Sequence, residues 1–279
     1  MALSIASLNS GSNGNCYYIG NEREAVLIDA GISSRETDRR ITRLGLSPQK
    51  IKAIFITHEH GDHIKGIRSL VRKYKVPIFI TKNTLEYGRI KLKEPFVRHF
   101  TPYLPVTIGS LSVTAFPKFH DACDPHSFFV SCNRINVGIF TDIGRACKHV
   151  IHHFRQCHAA FLEANYDEVM LDEGRYPYSL KTRIRGGHGH LSNTEALKLF
   201  QEHKAPFLSH LFLSHLSQNN NRPEIVQNLF RPYAGTTEIV IASRFEETAV
   251  YDIDNVSGYA VRPLRAKIKR PSLQLALFN

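Results

Sequence analysis

The sequence is organised around the stretch Thr57-His58-Glu59-His60-Gly61-Asp62-His63. Four of its side chains are common metal ligands: His58, His60, Asp62 and His63. They follow the apolar run Ala53-Ile54-Phe55-Ile56, which predicts a short buried strand. Because Gly61 permits a tight loop, alternate side chains can point at two neighbouring positions. The stretch therefore predicts a metal loop at the end of a strand, and a solvated histidine-rich turn is the alternative.

Such a loop could hold two divalent cations, one through His58 and His60 and the other through Asp62 and His63. Two cations roughly 3.5–4 Å apart activate water and stabilise the charge that develops on a substrate oxygen. Imidazole-rich ligands favour zinc, and the carboxylates would also accept manganese. The motif thus predicts a metal-dependent hydrolase.

The pattern His-x-His-x-Asp-His at residues 58–63 resembles the signature of the metallo-β-lactamase-fold hydrolases. The resemblance implies an α/β fold, the αββα sandwich, in which two mixed sheets are flanked by helices. It also implies three more metal ligands, each at the end of a strand: His120, Asp142 and His215.

In the ligand sets that the resemblance implies, His58, His60 and His120 hold one metal, and Asp62, His63 and His215 hold the other. Asp142 bridges the two cations, and an N-cap role for this residue is the alternative. Asp29 matches a buried aspartate that supports the ligand loop without binding metal.

Three further segments narrow the resemblance to the YycJ/WalJ group of this family, with a more distant likeness to the tRNase Z nucleases. The segments are Ser-Gly-Ser-x-Gly-Asn-Cys at residues 10–16, Leu162-Glu163-Ala164-Asn165 and Gly189-His190-Leu191-Ser192-Asn193. The likeness covers residues 1 to about 255. It implies a phosphodiesterase that acts on nucleic acid, most simply a DNA exonuclease in replication or repair.

His190 precedes a capping box, Ser192-Asn193-Thr194-Glu195, which predicts that it lies just before a helix N-terminus. A histidine that titrates near neutrality can protonate a leaving alkoxide. We therefore predict Asp62 and His190 as catalytic residues. The predicted substrate contacts are His188, Asn165 and Asn220. For the two histidines, packing of the turn is the alternative, and for Asn220 it is a simple turn.

The 279 residues, 42% of them hydrophobic, suit one large sandwich domain, predicted at residues 1–258. No apolar run approaches the roughly 18 residues of a membrane helix, and no signal peptide is evident. The five cysteines are odd in number and lack Cys-x-x-Cys spacing, which argues against a disulfide framework. These features predict a cytoplasmic protein with free thiols.

The net charge of +11 favours a polyanionic substrate. Basic residues cluster before the metal loop, after it and before the Gly-His segment: residues 35–52, 65–75 and 181–185. Each cluster alone could be a solvated helix face. Clusters on both sides of a two-metal site predict contacts with phosphates.

Residues 259–279 form a basic tail that ends in Gln274-Leu275-Ala276-Leu277-Phe278-Asn279. The segment resembles the short peptide by which bacterial DNA-handling enzymes bind the polymerase sliding clamp. The residues predicted to bind this partner are Gln274, Leu275, Leu277 and Phe278. Packing of the three apolar side chains against the protein's own sheet is the alternative.

Two other functions fit parts of the sequence. A thioester or lactone hydrolase could use the same ligand set, and it would have a compact pocket with no dependence on polyanion length. A non-catalytic nucleic-acid adaptor would keep the basic surface but would not need the complete set of ligands.

Overall fold

The computed structural model describes residues 2–92 and 95–254. Within them, the strands, numbered in chain order, form two seven-stranded sheets. The first sheet has the spatial order β14 (Tyr251–Ile253), β1 (Leu3–Asn9), β2 (Cys16–Gly20), β3 (Ala25–Ile28), β4 (Ile51–Phe55), β5 (Ile78–Phe79), β6 (Val97–Arg98). The second has the order β13 (Glu238–Ile241), β12 (His210–Ser214), β11 (Ala159–Glu163), β10 (Ile135–Phe140), β9 (His126–Cys132), β8 (Leu111–Pro117), β7 (Val106–Ile108).

Both sheets are mixed, and they share one pairing pattern. In the first, the strands from β14 to β3 pair antiparallel and those from β3 to β6 pair parallel. In the second, the strands from β7 to β10 pair antiparallel and those from β10 to β13 pair parallel. Since parallel strands end at the same edge of a sheet, each sheet presents several strand ends together.

Helices cover the outer faces of the two sheets. On the side of the first sheet lie α1 (Ser34–Arg43), α2 (Gly61–Ile64), α3 (Ile67–Tyr74) and α4 (Lys82–Tyr87). The remaining helices follow β10: α5 (Lys148–Phe154), α6 (Glu168–Glu173), α7 (Tyr178–Arg185), α8 (Asn193–His203) and α9 (Pro223–Phe230). Of these, α5, α8 and α9 pack their apolar faces on the second sheet. Short 3₁₀ turns occupy Pro48–Lys50 and Arg231–Tyr233. The predicted αββα sandwich is confirmed.

The largest apolar cluster lies between the two sheets and joins them. Phe161 of β11 stands at its centre, with its ring centroid 4.9 Å from that of Tyr17 in β2 and 4.5 Å from that of Phe212 in β12. All three side chains are fully buried. This aromatic contact between the sheets holds the two halves of the sandwich face to face.

Several helix starts carry a side-chain cap or a proline. Ser33 caps α1, Pro223 begins α9, and Ser192 and Glu195 form both hydrogen bonds of the predicted capping box at α8. Thr81 caps α4, since it has the extended backbone of an N-cap and its side chain accepts from Thr84 N.

A close backbone contact separates α2 from α3. Gly66 N donates to Ala30 O, and a Cβ on Gly66 would lie 1.9 Å from Ile32 O. The connection over residues 166–185 contains α6 and α7. The last two strands, β13 and β14, lie in different sheets.

The predicted domain boundary at residue 258, the basic tail and the clamp-like peptide lie outside the described residues. Among the residues that the structure does describe, every helix is too short or too polar to cross a lipid bilayer.

Replacing Phe161 with alanine tests the importance of the contact between the sheets. We expect the free energy of unfolding to fall by about 3–5 kcal/mol, because the change leaves a cavity in the core. Urea unfolding of Phe161→Ala and of Phe207→Ala, whose ring is 48% exposed, provides the measurement and its control. Equal losses in the two variants would contradict this account of the core.

Candidate metal centre

The predicted ligands lie where strands of both sheets end. His58 to His63 follow β4, His120 follows β8, Asp142 follows β10 and His215 follows β12. At two of these ends, and at Asp29 after β3, the backbone is left-handed, with φ of 51° at Asp142, 57° at His215 and 64° at Asp29. Non-glycine residues adopt this conformation at a cost, and such strain concentrates at functional sites. Here the left-handed conformation occurs where the chain turns at the end of a strand.

Asp29 lies beneath the histidine loop and is fully buried. Its Oδ1 accepts from Thr57 N at 2.9 Å, and its Oδ2 accepts from His63 Nδ1 at 2.7 Å. The second contact leaves Nε2 of His63 facing the site. Asp29 thus orients one predicted ligand and anchors the start of the loop, as expected of a supporting residue.

The other end of the loop is held by residues to which the sequence analysis assigned no role. Asn15 N donates to Asp62 O at 2.7 Å, and Asn15 Nδ2 donates to Asp62 Oδ2 at 3.1 Å. A Cβ on Gly31 would lie only 1.7 Å from Asp62 O, so any side chain there would displace the loop. Asn15 belongs to the quoted segment at residues 10–16, but only the fold brings that segment beside Asp62.

Three ring nitrogens form the first donor group. Nδ1 of His60 lies 3.1 Å from Nε2 of His58 and 3.2 Å from Nε2 of His120. His120 Nδ1 donates to Gly189 O at 2.9 Å, which leaves the lone pair of its Nε2 facing the group. Atoms this close, with their other nitrogens held elsewhere, can converge on one cation.

Asp62, His63 and His215 form the second donor group, with donor atoms within 4.8 Å of one another. Asp142 lies between the two groups. Its Oδ2 is 3.3 Å from His63 Nε2, and its Oδ1 is 3.8 Å from His120 Nε2. Its position fits a bridging ligand. The N-cap alternative is wrong, because Cys147 occupies the N-cap of the following helix, α5.

Glu163 completes the site, although the sequence analysis gave it no role. It is fully buried at the end of β11. Its Oε1 accepts from His190 Nδ1 at 2.7 Å and from His215 Nδ1 at 3.0 Å, and its Oε2 accepts from Ile143 N at 2.7 Å. A carboxylate at the end of a buried apolar strand is energetically costly unless it is paired. The position of Glu163 after the apolar run of β11 is therefore the sequence feature that could have indicated its role.

The buried carboxylates remain ionised. Burial by itself would raise the pKa of Glu163, but the charge of His190 and hydrogen bonds from His190 and His215 lower it to about 2. Burial likewise opposes the shift at Asp142, whose pKa is held well below its usual range by His215 and His63. Burial lowers the pKa of His120 to about 3. Ionised carboxylates and a neutral imidazole are the forms that bind metal.

A cavity of about 240 Å³ opens above the second donor group, and we call it the histidine cavity. His190 and Asn165 both line it. Asn165 Nδ2 donates to His215 O at 2.7 Å, so this residue also positions a predicted ligand. His188 and Asn220 do not line it, because His188 packs its ring against Phe119 and Asn220 is buried in a turn with Ser217.

Some side chains of the basic clusters bind other residues of the protein and so are less available to contact phosphates than the sequence suggests. Arg40 is buried and donates to Leu8 O and Asn9 Oδ1, while Arg43 pairs with Glu247. In contrast, Arg183 lines the histidine cavity, with 62% of its side chain exposed, and its guanidinium pairs with Asp121. Of the three basic clusters, the one on α7 therefore contributes a side chain, Arg183, to the wall of the histidine cavity.

Comparison with known proteins identifies the family. The sequence profile of the Metallo-beta-lactamase superfamily matches residues 10–125. The exodeoxyribonuclease YycJ of Bacillus anthracis is 33% identical over 81% of this chain and 87% of its own length. The exodeoxyribonuclease WalJ of Streptococcus pneumoniae is 28% identical over 78% of this chain and 83% of its own length.

The fold agrees with this assignment. The metallo-beta-lactamase fold protein YhfI from Bacillus subtilis superposes with a TM-score of 0.69 and 17% identity, covering 90% of this chain and all of YhfI. The histidine and aspartate groups described above have the composition of metal sites. The chain therefore belongs to the metallo-beta-lactamase superfamily of metal-dependent hydrolases and, within it, to the YycJ/WalJ group.

Proposed function

We propose that this protein is a nuclease that hydrolyses phosphodiester bonds of DNA from a strand end, in replication or repair. The observation that carries the proposal is the convergence of seven donor side chains, in two groups of three with Asp142 between them, beside an open cavity. The activity named for the relatives YycJ and WalJ supports DNA as the substrate. Free cysteines throughout the described part of the chain and a DNA substrate fit a cytoplasmic enzyme.

Two divalent cations fit the donor set. Asp142 Oδ2 and His215 Nε2 are buried and form no hydrogen bond within the described residues, which suits atoms that bind metal. His58, His60 and His120 would hold one cation, and Asp62, His63 and His215 the other, with Asp142 shared. Zinc fits the imidazoles, and manganese is compatible with the carboxylates. When bound, such cations activate water and stabilise a phosphodiester under attack.

His190 would protonate the leaving oxygen. Its Nδ1 is held by Glu163, and its side chain, 23% exposed, lines the histidine cavity. The proton would pass from Nε2 to the oxygen of the departing nucleotide, while the hydrogen bond from Nδ1 to Glu163 keeps the ring oriented. Asn165 would orient His215, and Arg183 at the rim would contact a phosphate.

A small-molecule thioester or lactone hydrolase is the alternative from another class, because the same donor groups could serve an acyl substrate. The two proposals differ in how the apparent affinity for the substrate depends on its length and on the salt concentration. A nuclease should show stronger apparent binding as the oligonucleotide lengthens and weaker binding as salt rises. An acyl hydrolase should show neither dependence.

Replacing Asp62 with alanine should abolish DNA degradation, because it removes a donor from the second group and a contact of Asn15. We expect at least about a hundredfold loss of rate and a lower metal content. The assay follows a linear duplex labelled at either end, with zinc or manganese added. Asp172→Ala, which removes a carboxylate exposed on α6, is the matched control.

If the native protein carries metal but cuts neither single-stranded nor duplex DNA or RNA, the nuclease proposal is wrong. The label released first from the duplex gives the direction of cutting.

Replacing His190 with alanine should slow DNA cleavage by about a hundredfold or more, because the leaving alkoxide then lacks its acid. Release of 4-nitrophenolate from thymidine 5′-(4-nitrophenyl phosphate) should be much less affected, since this leaving group needs no proton. The ratio of the two rates is the measurement. Equal slowing of both substrates would point to a positioning role instead.

We also propose that residues 274–278 bind the bacterial sliding clamp, as their likeness to clamp-binding peptides implies. A peptide of residues 268–279 should bind the purified clamp saturably in a fluorescence anisotropy titration. The same peptide with Gln274, Leu277 and Phe278 replaced by alanine should not, because these side chains would fill the clamp's pocket. Identical titrations for the two peptides would refute the proposal.

A further inference from the structure

A second cavity adjoins the histidine cavity, and we call it the Arg244 cavity. It encloses about 200 Å³, and Leu216 and Ser217 line both spaces. Ser10 is also part of its wall, and Ser10 Oγ accepts from His215 N at 2.8 Å. A molecule in the Arg244 cavity would therefore lie directly beside the backbone of a predicted metal ligand.

The Arg244 guanidinium is incompletely paired. Arg244 lines the cavity, and its Nη1 is buried and forms no hydrogen bond within the described residues. Its Nη2 lies 3.3 Å from Ser12 Oγ, and Ser12 lines the histidine cavity. A buried donor left without an acceptor is costly, and it is rare in folded proteins. The unpaired nitrogen suits an acceptor, most favourably an anionic oxygen, brought by a ligand.

Phe245 stands beside this guanidinium with 74% of its surface exposed. Its backbone is held firmly: Phe245 O accepts from Arg40 Nη2 at 2.9 Å, and Phe245 N donates to Ser243 Oγ at 3.0 Å. Arg40 is itself buried and donates to Leu8 O at 2.6 Å. The aromatic ring is therefore displayed on an anchored backbone at the cavity mouth.

The remaining wall of the Arg244 cavity is largely apolar, with Leu216, Pro223, Ile241 and Ala242 among its residues. An apolar wall, an exposed aromatic ring and a guanidinium with one unpaired nitrogen together match the parts of a nucleotide. The ring and the wall can cover the two faces of a base, and the guanidinium can bind a phosphate oxygen. A lone exposed phenylalanine would have no such meaning, because scattered apolar side chains are normal on protein surfaces.

We propose that the Arg244 cavity is a subsite for the nucleotide that adjoins the scissile phosphate, with Phe245 stacking on the base and Arg244 binding its phosphate. The inference rests on the proposed nuclease function and adds a requirement to it. Because a base can stack on Phe245 only when it is unpaired, the strand end must be single-stranded or frayed before it enters the histidine cavity.

The test compares an oligothymidylate with an oligonucleotide of the same length and charge from which the bases are absent. The native metal-loaded enzyme should show a KM roughly tenfold lower for the oligothymidylate, as expected from stacking of one base. Phe245→Ala should bring the two KM values together, and Phe245→Trp should keep them apart. Because the ring is exposed, these changes should not disturb folding.

Arg244→Gln should raise the KM for both oligonucleotides and reduce the slope of log KM against log salt by about one, as expected for one lost phosphate contact. Phe207→Ala and Arg155→Gln are the matched controls. Phe207 precedes β12 and Arg155 precedes β11, whereas the site lies at the other ends of these strands. Both controls should behave as the native enzyme does.

The outcomes separate the subsite from the function on which it rests. A native enzyme that hydrolyses neither oligonucleotide overturns the nuclease proposal and the subsite together. An enzyme that hydrolyses both with equal KM, or that discriminates equally well without the Phe245 ring, overturns the subsite alone.

Discussion

The site depends on the burial of three carboxyl groups at one edge of the sandwich: Asp29, Asp142 and Glu163. A buried carboxyl group is strongly destabilising unless it is paired. Asp29 is satisfied by Thr57 and His63, and Glu163 by His190 and His215. Asp142 keeps an oxygen without a hydrogen bond among the described residues, so a cation between the donor groups would complete the compensation.

The two sheets make this arrangement possible because their parallel strands end at the same edge. The metal loop comes from the first sheet, whereas Asp142, Glu163 and His215 come from the second. The aromatic contact of Phe161 with Tyr17 joins the sheets, and so it also helps to set the distance between the two halves of the site. Packing of the core between the sheets therefore also affects the geometry of the site.

Much of the fold and of the candidate site could be predicted from the sequence alone. The ligand loop at residues 58–63, the αββα fold and the strand-end positions of His120, Asp142 and His215 all follow from motifs and from the resemblance that they carry. The roles of Glu163 and Asn15 did not follow, because each depends on a partner distant in sequence. The basic cluster at residues 35–52 predicts contacts with phosphates. Arg40 and Arg43 instead bind Asn9 and Glu247, which are distant in the sequence.

Metal-dependent chemistry can be predicted from the sequence alone, because closely spaced histidines and an aspartate after an apolar strand form a local pattern with few other uses. Only the tertiary structure shows which other side chains lie at the candidate metal site. His188 and His190 are two residues apart, yet only His190 contacts Glu163 and lines the cavity. Arg244 and Phe245 carry no motif, and they lie beside His215 only because the loop after β13 packs against Ser10 and Arg40. Such contacts join segments that are more than 200 residues apart in the chain, and no local pattern records them.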